Sequence, residues 1–327
     1  MKERILEILR EHAPGAVSGE DLARRLGLSR TAVWKHVAAL RRDGYPIAAA
    51  PRSGYRLTGE GPDRLTAEAV QPLLTTGVLG RSYDYLAEVD STNNRAKDLA
   101  RAGAPEGTVV LAERQTGGRG RLGRSWHSPH GGLWFSVILR PALSPARAPE
   151  ATFVAAVSVV DALRAYPNLK VGIKWPNDLI AGGRKLGGIL TELAAEAERL
   201  EWLVVGIGLN VNIELEAFPP ALREAAASVS ASAGRPVDRA RLLAAILGSM
   251  ERWYRAWLAQ GFGPVIAAWR ERQECLGRRV RIVTGGKEWY GRALAVDDEG
   301  ALLVERAPGV VQRVLSGDVL LENGGKH

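Results

Sequence analysis

Gly117-Gly118-Arg119-Gly120-Arg121-Leu122-Gly123-Arg124 lies between two strand-like runs, Thr108-Val109-Val110-Leu111 before it and Gly132-Leu133-Trp134-Phe135-Ser136-Val137-Ile138-Leu139 after it. Four glycines and three arginines share eight residues. The glycines let a backbone approach a ligand and turn its N–H groups inward. The arginines add fixed charge and forked donors that suit phosphate or carboxylate. No Lys-Ser or Lys-Thr follows, so this is not a P-loop, and arginines fill the variable positions of a dinucleotide fingerprint. Set between two strands, the stretch reads as an anion-binding loop of an α/β domain.

Upstream, Tyr83–Val89 reads as a strand running into Asp90-Ser91-Thr92-Asn93-Asn94 and then a helix through Ala96-Lys97-Asp98-Leu99-Ala100. One Ser or Thr suffices as a helix cap. Five consecutive small polar residues exceed that need and suit a neutral polar ligand such as an amide or a urea. Trp126 and Trp134 follow the loop and read as pocket wall or core. Downstream, Val171–Ile180 and Arg184–Leu193 read as a β-hairpin joined by Ala181-Gly182-Gly183. Lys174, Asn177, Asp178 and Lys185 then fall near strand ends. Lysines there can stabilise developing negative charge, and Asp178 can hold magnesium or pair with a lysine. Trp202–Asn212 reads as a buried strand with glycines for close backbone approach.

The first sixty residues read differently. An apolar stripe of Ile5, Leu6, Ile8 and Leu9 marks one helix. Ser18 caps a second, with Asp21 as a capping-box acid, and Gly27 ends it. Ser29 starts a third, carried by Val33, Val37 and Leu40 and ended by Gly44. Tyr45-Pro46-Ile47 and Arg52–Leu57 follow as a strand–turn–strand. This is a winged helix-turn-helix, with eleven basic against seven acidic residues up to Glu60. Its third helix offers Arg30, Lys35, His36, Arg41 and Arg42. Ser29, Arg30, Thr31, Lys35, His36 and the wing's Arg52 are the candidate DNA contacts.

Composition bounds the rest. The 327 residues imply two or three domains, and 46% hydrophobic content supplies real cores. One cysteine, Cys275, excludes a disulfide framework and fits a reducing cytoplasm. Met1-Lys2-Glu3-Arg4 leads into no apolar signal segment, and no run spans a bilayer. The net charge of +8 favours anionic partners. Asp238–Cys275 reads as helical, its apolar residues at core spacing. Alternating runs at 279–283, 289–296, 301–305 and 310–315 read as a small β-barrel.

Asp90-Ser91-Thr92-Asn93, Gly118–Arg124, Lys174-Trp175-Pro176-Asn177-Asp178 and Arg184-Lys185-Leu186-Gly187-Gly188, in this order, resemble the biotin–protein ligase family. With the N-terminal module, the resemblance is to its bifunctional ligase/repressor form and covers nearly the whole chain. It implies an α/β multidomain protein in three parts. These are a winged helix-turn-helix at 1–62, a class II synthetase-like catalytic domain at 63–273 and an SH3-like barrel at 274–327. It also implies ATP, Mg2+ and biotin as reactants, and a biotin carboxyl carrier protein as acceptor. Operator DNA and an adenylate-bound homodimer are the further expected partners. For biotin it implies Ser91, Thr92, Asn93, Gln115, Arg119, Gly120, Arg121, Lys185, Gly188 and Asn210. For the adenylate it implies Arg119, Arg121, Arg124, Trp126, Lys174, Asn177, Lys185 and Asn210, with Lys185, Arg121 and Asp178 as the catalytic set. The family pattern has a further arginine where this chain has Leu122. Two other readings remain: a lipoate or octanoate ligase on the same fold, and a ligand-sensing transcription factor without catalysis.

Overall fold

The computed structural model describes residues 1–42, 45–50, 54–59 and 63–321. It divides into two compact units, Met1–Arg64 and Leu65–His327. The linker expected at Gly59–Pro62 lies outside the described residues from Glu60 onward, as does Gly44.

The first unit holds α1 (Lys2–Glu11), α2 (Gly19–Leu26), α3 (Arg30–Arg42), β1 (Ile47–Ala50) and β2 (Gly54–Leu57). Ile5, Leu9, Leu22, Val33, Val37 and Leu40 close its core, each worth about 1.5–3 kcal/mol when fully buried. Ser18 Oγ accepts from Asp21 N–H at 3.0 Å, as a cap should. The Asp21 carboxylate turns to Arg24 and Arg25 instead of closing a capping box. β1 and β2 pair antiparallel, and Val17 bridges to Tyr55. Gly54 is required there: at φ 104 a Cβ would stand 2.1 Å from the Val17 carbonyl oxygen.

The second unit begins with the single-turn α4 (Ala67–Val70). Then come β3 (Tyr83–Val89), α5 (Thr92–Arg101), β4 (Val109–Gln115), β5 (Leu133–Leu139) and α6 (Glu150–Leu163). β6 (Val171–Lys174), β7 (Asp178–Ala181), β8 (Arg184–Glu196) and β9 (Arg199–Leu209) follow. They form one seven-stranded sheet in the order β3-β4-β5-β9-β8-β7-β6, in which only the β3–β4 pair is parallel. The run expected as one arm of a hairpin is two strands, because Trp175-Pro176-Asn177 turns the chain between β6 and β7. Pro176 has no N–H to give a ladder, so a strand cannot run through it.

Short α7 (Pro220–Arg223) and α8 (Val229–Ala233) precede α9 (Arg239–Gln260) and α10 (Gly263–Arg272). The helix expected from Asp238 to Cys275 is thus broken. Gly261 takes φ 78 and caps α9, and α10 restarts with Pro264 in its first turn. β10 (Arg279–Thr284), β11 (Lys287–Val296), β12 (Leu302–Ala307), β13 (Val310–Val314) and β14 (Asp318–Leu321) build a five-stranded antiparallel sheet with β13 and β14 at its edges. The strand β14 was not expected from the pattern. No helix among the described residues is long and apolar enough to cross a membrane.

Alternation along the strands assigns the two faces of the large sheet. Leu133, Phe135, Val137, Leu203, Val205, Ile207 and Leu209 point into the main core beneath α6 and α9. Their neighbours Val110, Ile138, Trp202 and Val204 face α5. On that second face Gly206 lies opposite both Ser136 and Leu190, and Gly208 opposite Trp134 and Gly188. Three glycines in the middle of this face leave a depression where side chains would otherwise stand.

Candidate functional site

That depression is the floor of a cavity of about 140 Å³. Ser91, Thr92, Asn93, Gln115, Arg119, Gly120, Arg121, Arg124, Trp126, Lys174, Asn177, Asp178, Lys185 and Gly188 all line it. The start of α5 and the end of β4 supply one end. The glycine–arginine loop supplies the roof, and the β6–β7 turn and β8 the other end.

The α5 end is polar and buried. Ser91 occupies the cap position of α5 but makes no side-chain cap. The residue is buried in the cavity lining, and its hydroxyl is not spent on the helix. Thr92 donates its N–H to Gln115 Oε1 at 2.8 Å, and its hydroxyl oxygen lies 3.1 Å from the same atom. Gln115 Nε2 donates to Ser128 Oγ at 2.8 Å. Asn93 donates to Glu192 Oε2 at 2.8 Å and to the Leu190 carbonyl at 3.2 Å, and its Oδ1 accepts from Ser136 at 2.6 Å. Asn93 therefore lines the cavity with an amide already occupied by protein.

The other end is cationic. Asp178 accepts from Lys185 Nζ at 2.6 Å and from Lys174 Nζ at 2.9 Å. Burial pushes the Asp178 carboxyl up, but the two lysines outweigh it and hold it below the usual carboxylate range. Lys185 Nζ also lies 5.2 Å from the centre of the Trp126 ring. Trp126 Nε1 is buried without a partner and packs on the Gly208 floor, where a Cβ would stand 2.6 Å from it. Arg121 donates to Asn177 Oδ1 at 3.2 Å and to the Gly317 carbonyl at 3.3 Å. Burial lowers the Arg121 pKa against the pull of Asp318 and Asp178. Arg124 pairs with Asp318. Arg119 turns outward to Asn94 Oδ1 at 3.1 Å and lies 3.7 Å from Glu192.

Asn210 is not brought to the cavity wall. It is buried behind it, where Nδ2 donates to the Ala227 carbonyl at 3.0 Å and the Lys185 carbonyl at 3.4 Å. It fixes the backbone of Lys185. Leu122, 73% exposed with φ 56, takes the loop tip in a left-handed conformation that costs a non-glycine residue about 1–2 kcal/mol. Asp318, Val319 and Leu320 of β14 line the cavity and were not foreseen. Nothing local in their sequence marks them, because a strand two hundred residues downstream brings them in.

In the helix-turn-helix unit Ser29, just before α3, and Arg30, Thr31 and Lys35 on it are exposed, and His36 is half-buried. Arg41 leaves that face, donating from Nε to the Ile47 carbonyl at 2.7 Å and tying α3 to the wing. Trp34, 58% exposed on the same helix, went unremarked in the sequence because aromatic residues at helical spacing read as core. Arg52 lies outside the described residues.

A mixed sheet with a cleft polar at one end and cationic at the other, in a chain that also carries a helix-turn-helix unit, defines a ligand-activating α/β domain with a DNA-binding module. Comparison with known proteins agrees. Residues 85–210 match the Biotin/lipoate A/B protein ligase family, 2–56 an HTH domain and 275–321 the Biotin protein ligase C terminal domain. The chain is 39% identical over 322 residues to the bifunctional ligase/repressor BirA of Bacillus subtilis, covering 98% of each. It is 32% identical to that of Escherichia coli, covering 94% of each. The solved biotin protein ligase of Aquifex aeolicus in complex with biotin and ATP is similar at 29% identity and a TM-score of 0.64, covering 74% of this chain and 99% of that one. The chain belongs to the biotin protein ligase family, in its bifunctional ligase/repressor form.

Proposed function

We propose that the protein joins biotin to a lysine of a biotin carboxyl carrier protein at the expense of ATP, and that the same chain represses transcription in response to biotin. One observation carries the ligase reading: a single cavity sets buried neutral hydrogen-bonding groups at one end against Lys174, Lys185, Arg121 and Arg124 at the other. The first end suits a urea, the second a carboxylate meeting a phosphate.

Biotin's ring system would lie beside Asn93 and Trp126, which rest on Gly206 and Gly208, with Ser91, Thr92 and Gln115 at its urea. Its carboxylate would then reach Lys185. A carboxylate oxygen attacks the α-phosphorus of ATP, the bond to pyrophosphate breaks, and biotinyl-5'-AMP remains. Lys185 and Arg121 stabilise the charge that grows on the phosphoryl oxygens. Asp178 holds the Lys185 ammonium in place. Arg119 and Arg124 support the loop, and Trp126 gives the adenylate an apolar wall. No group of three or more acidic, His or Cys side chains that could cage a metal occurs among the described residues. Magnesium would therefore ride on the triphosphate, with Asp178 and Asp318 the carboxylates that line the cavity. In the second step an acceptor lysine amine attacks the acyl carbon and AMP leaves. A roof over the cavity keeps water from the mixed anhydride.

The repressor half rests on α3 with its exposed Arg30, Thr31 and Lys35, and on Ser29 just before it. We infer that the adenylate drives homodimerisation and that the dimer binds an operator. A labelling panel tests the ligase: biotin, lipoate and octanoate are offered with ATP and carrier domains. Transfer of biotin alone supports the reading. Transfer of lipoate or octanoate instead replaces the substrate, and no transfer by protein that binds biotin leaves a sensor. Gel shifts with and without adenylate test the repressor, and absence of specific DNA binding with adenylate present overturns it.

A further inference from the structure

Behind the polar end of the cavity stands a carboxylate that touches neither substrate end. Glu192, on β8, has a side chain only 22% exposed. It accepts from Asn93 Nδ2 and, at 2.8 Å, from Lys97 Nζ, and Arg119 lies 3.7 Å away. Burial raises its pKa, and Lys97 and Asn93 more than reverse this, so it stays ionised.

We infer that Glu192 is a positioning residue that sets the hydrogen-bonding polarity of the urea pocket. The two ends of a carboxamide have nearly the same shape, so Asn93 alone does not choose which end faces inward. A carboxylate only accepts, so the Asn93 amino group must face Glu192, where the Leu190 carbonyl takes its second hydrogen. The Asn93 oxygen then faces the Ser136 hydroxyl and takes its proton. Ser136 Oγ lies 2.8 Å from Thr92 Oγ1 and, having given up its proton, offers Thr92 only lone pairs. Two hydroxyl oxygens 2.8 Å apart need a proton between them, so Thr92 directs its own proton to Ser136, which leaves its lone pairs for a ligand N–H. The Thr92 backbone N–H separately fixes Gln115 Oε1, so Gln115 Nε2 keeps one hydrogen for a ligand carbonyl. An acceptor at Thr92 and a donor at Gln115 complement a cyclic urea. Asn93 and Thr92 are 4% exposed and Ser136 is 0% exposed, so water does not reset this order.

The inference rests on the ligase reading, and biotin-dependent pyrophosphate–ATP exchange in the full-length protein separates the two. Exchange absent from the wild type sinks the ligase reading itself. With wild-type exchange intact, Glu192→Gln should raise the KM for biotin about tenfold, the scale of one lost charged hydrogen bond. The KM for ATP and kcat should stay within about twofold of wild type. Lys97→Met, which removes only the ion pair, should leave the biotin KM within the same range. The double variant Glu192→Gln, Asn93→Ala should be no worse than Asn93→Ala alone, because Glu192 acts through Asn93. A wild-type biotin KM in Glu192→Gln, additive effects in the double variant, or an equal loss in Lys97→Met would overturn the inference. If Glu192→Gln fails to fold, Glu192→Met, similar in shape and without the carboxylate, is read by the same criteria.

Discussion

Gly206→Ala tests the floor of the cavity with one methyl group. Gly206 sits between Ser136 and Leu190 on neighbouring strands, facing α5. A Cβ built there lies 2.0 Å from Asn93 Oδ1 and 2.8 Å from Asn93 Cγ. Ordinary contact begins at 3.4 Å, so the carboxamide must retreat by 1.4 Å. No hydrogen bond of 2.6 to 3.2 Å survives such a shift, and Asn93 makes three of them, one to a carboxylate. Overpacking of this kind costs about 1–3 kcal/mol. Each buried hydrogen bond lost adds about 1 kcal/mol, offset in part by rearrangement. The expected destabilisation is about 2–4 kcal/mol, or roughly 4–15 °C in Tm for a unit of this size. The KM for biotin should rise at least tenfold in the exchange assay while the KM for ATP changes little. Gly263→Ala is the matched control: its Cβ meets nothing within 4 Å, and it opens α10 without a positive φ. It should be neutral or slightly stabilising. A Gly206→Ala protein with wild-type Tm and biotin KM would refute the placement of Asn93 and the floor.

Other consequences are as direct. Arg121→Ala should lower exchange roughly 10²–10³-fold and release adenylate from the cavity, read as biotin labelling of bystander amines. Glu251 accepts N–H bonds from Gly77, Val78 and Leu79, each at 2.9 Å. Its burial raises the pKa, and those three donors with Arg255 bring it below the usual 4.5. The stability it contributes is therefore full above pH 4.5 and is lost as pH falls through the depressed folded value. Glu251→Gln should cost about 2–3 kcal/mol at neutral pH, and its Tm deficit should shrink in melts below pH 4.5. Arg30→Ala and Lys35→Ala should each reduce the salt slope of operator binding by about one, measured by titration at several salt concentrations; an unchanged slope removes that residue from the phosphate contacts.

The cavity was legible where its residues are contiguous. Asp90–Asn94 and Gly117–Arg124 each carry more polar or glycine character than capping or turning needs, and both line the site. Ser91 illustrates the point, since its hydroxyl does not cap the helix it precedes. What the sequence hid depends on pairing across strands. Glu192 carries no local signal of its place, and only β8 brings it to Asn93. Asp318 joins the site only because β14 completes the C-terminal sheet beside the loop. Asn210, expected at the ligand, instead secures the Lys185 backbone, because its strand ends one step behind the wall. Gly261 interrupts a run whose apolar spacing continues on both sides, so periodicity alone merged α9 with α10.

The central claim is that one cavity activates biotin's carboxylate with ATP. Biotin-dependent exchange of pyrophosphate into ATP tests it, with wild type and Lys185→Ala compared at saturating ATP. The account predicts exchange that requires biotin and falls at least a hundredfold in the variant, whose fold is intact by thermal melting. Exchange that proceeds without biotin, or that survives loss of Lys185, would contradict it.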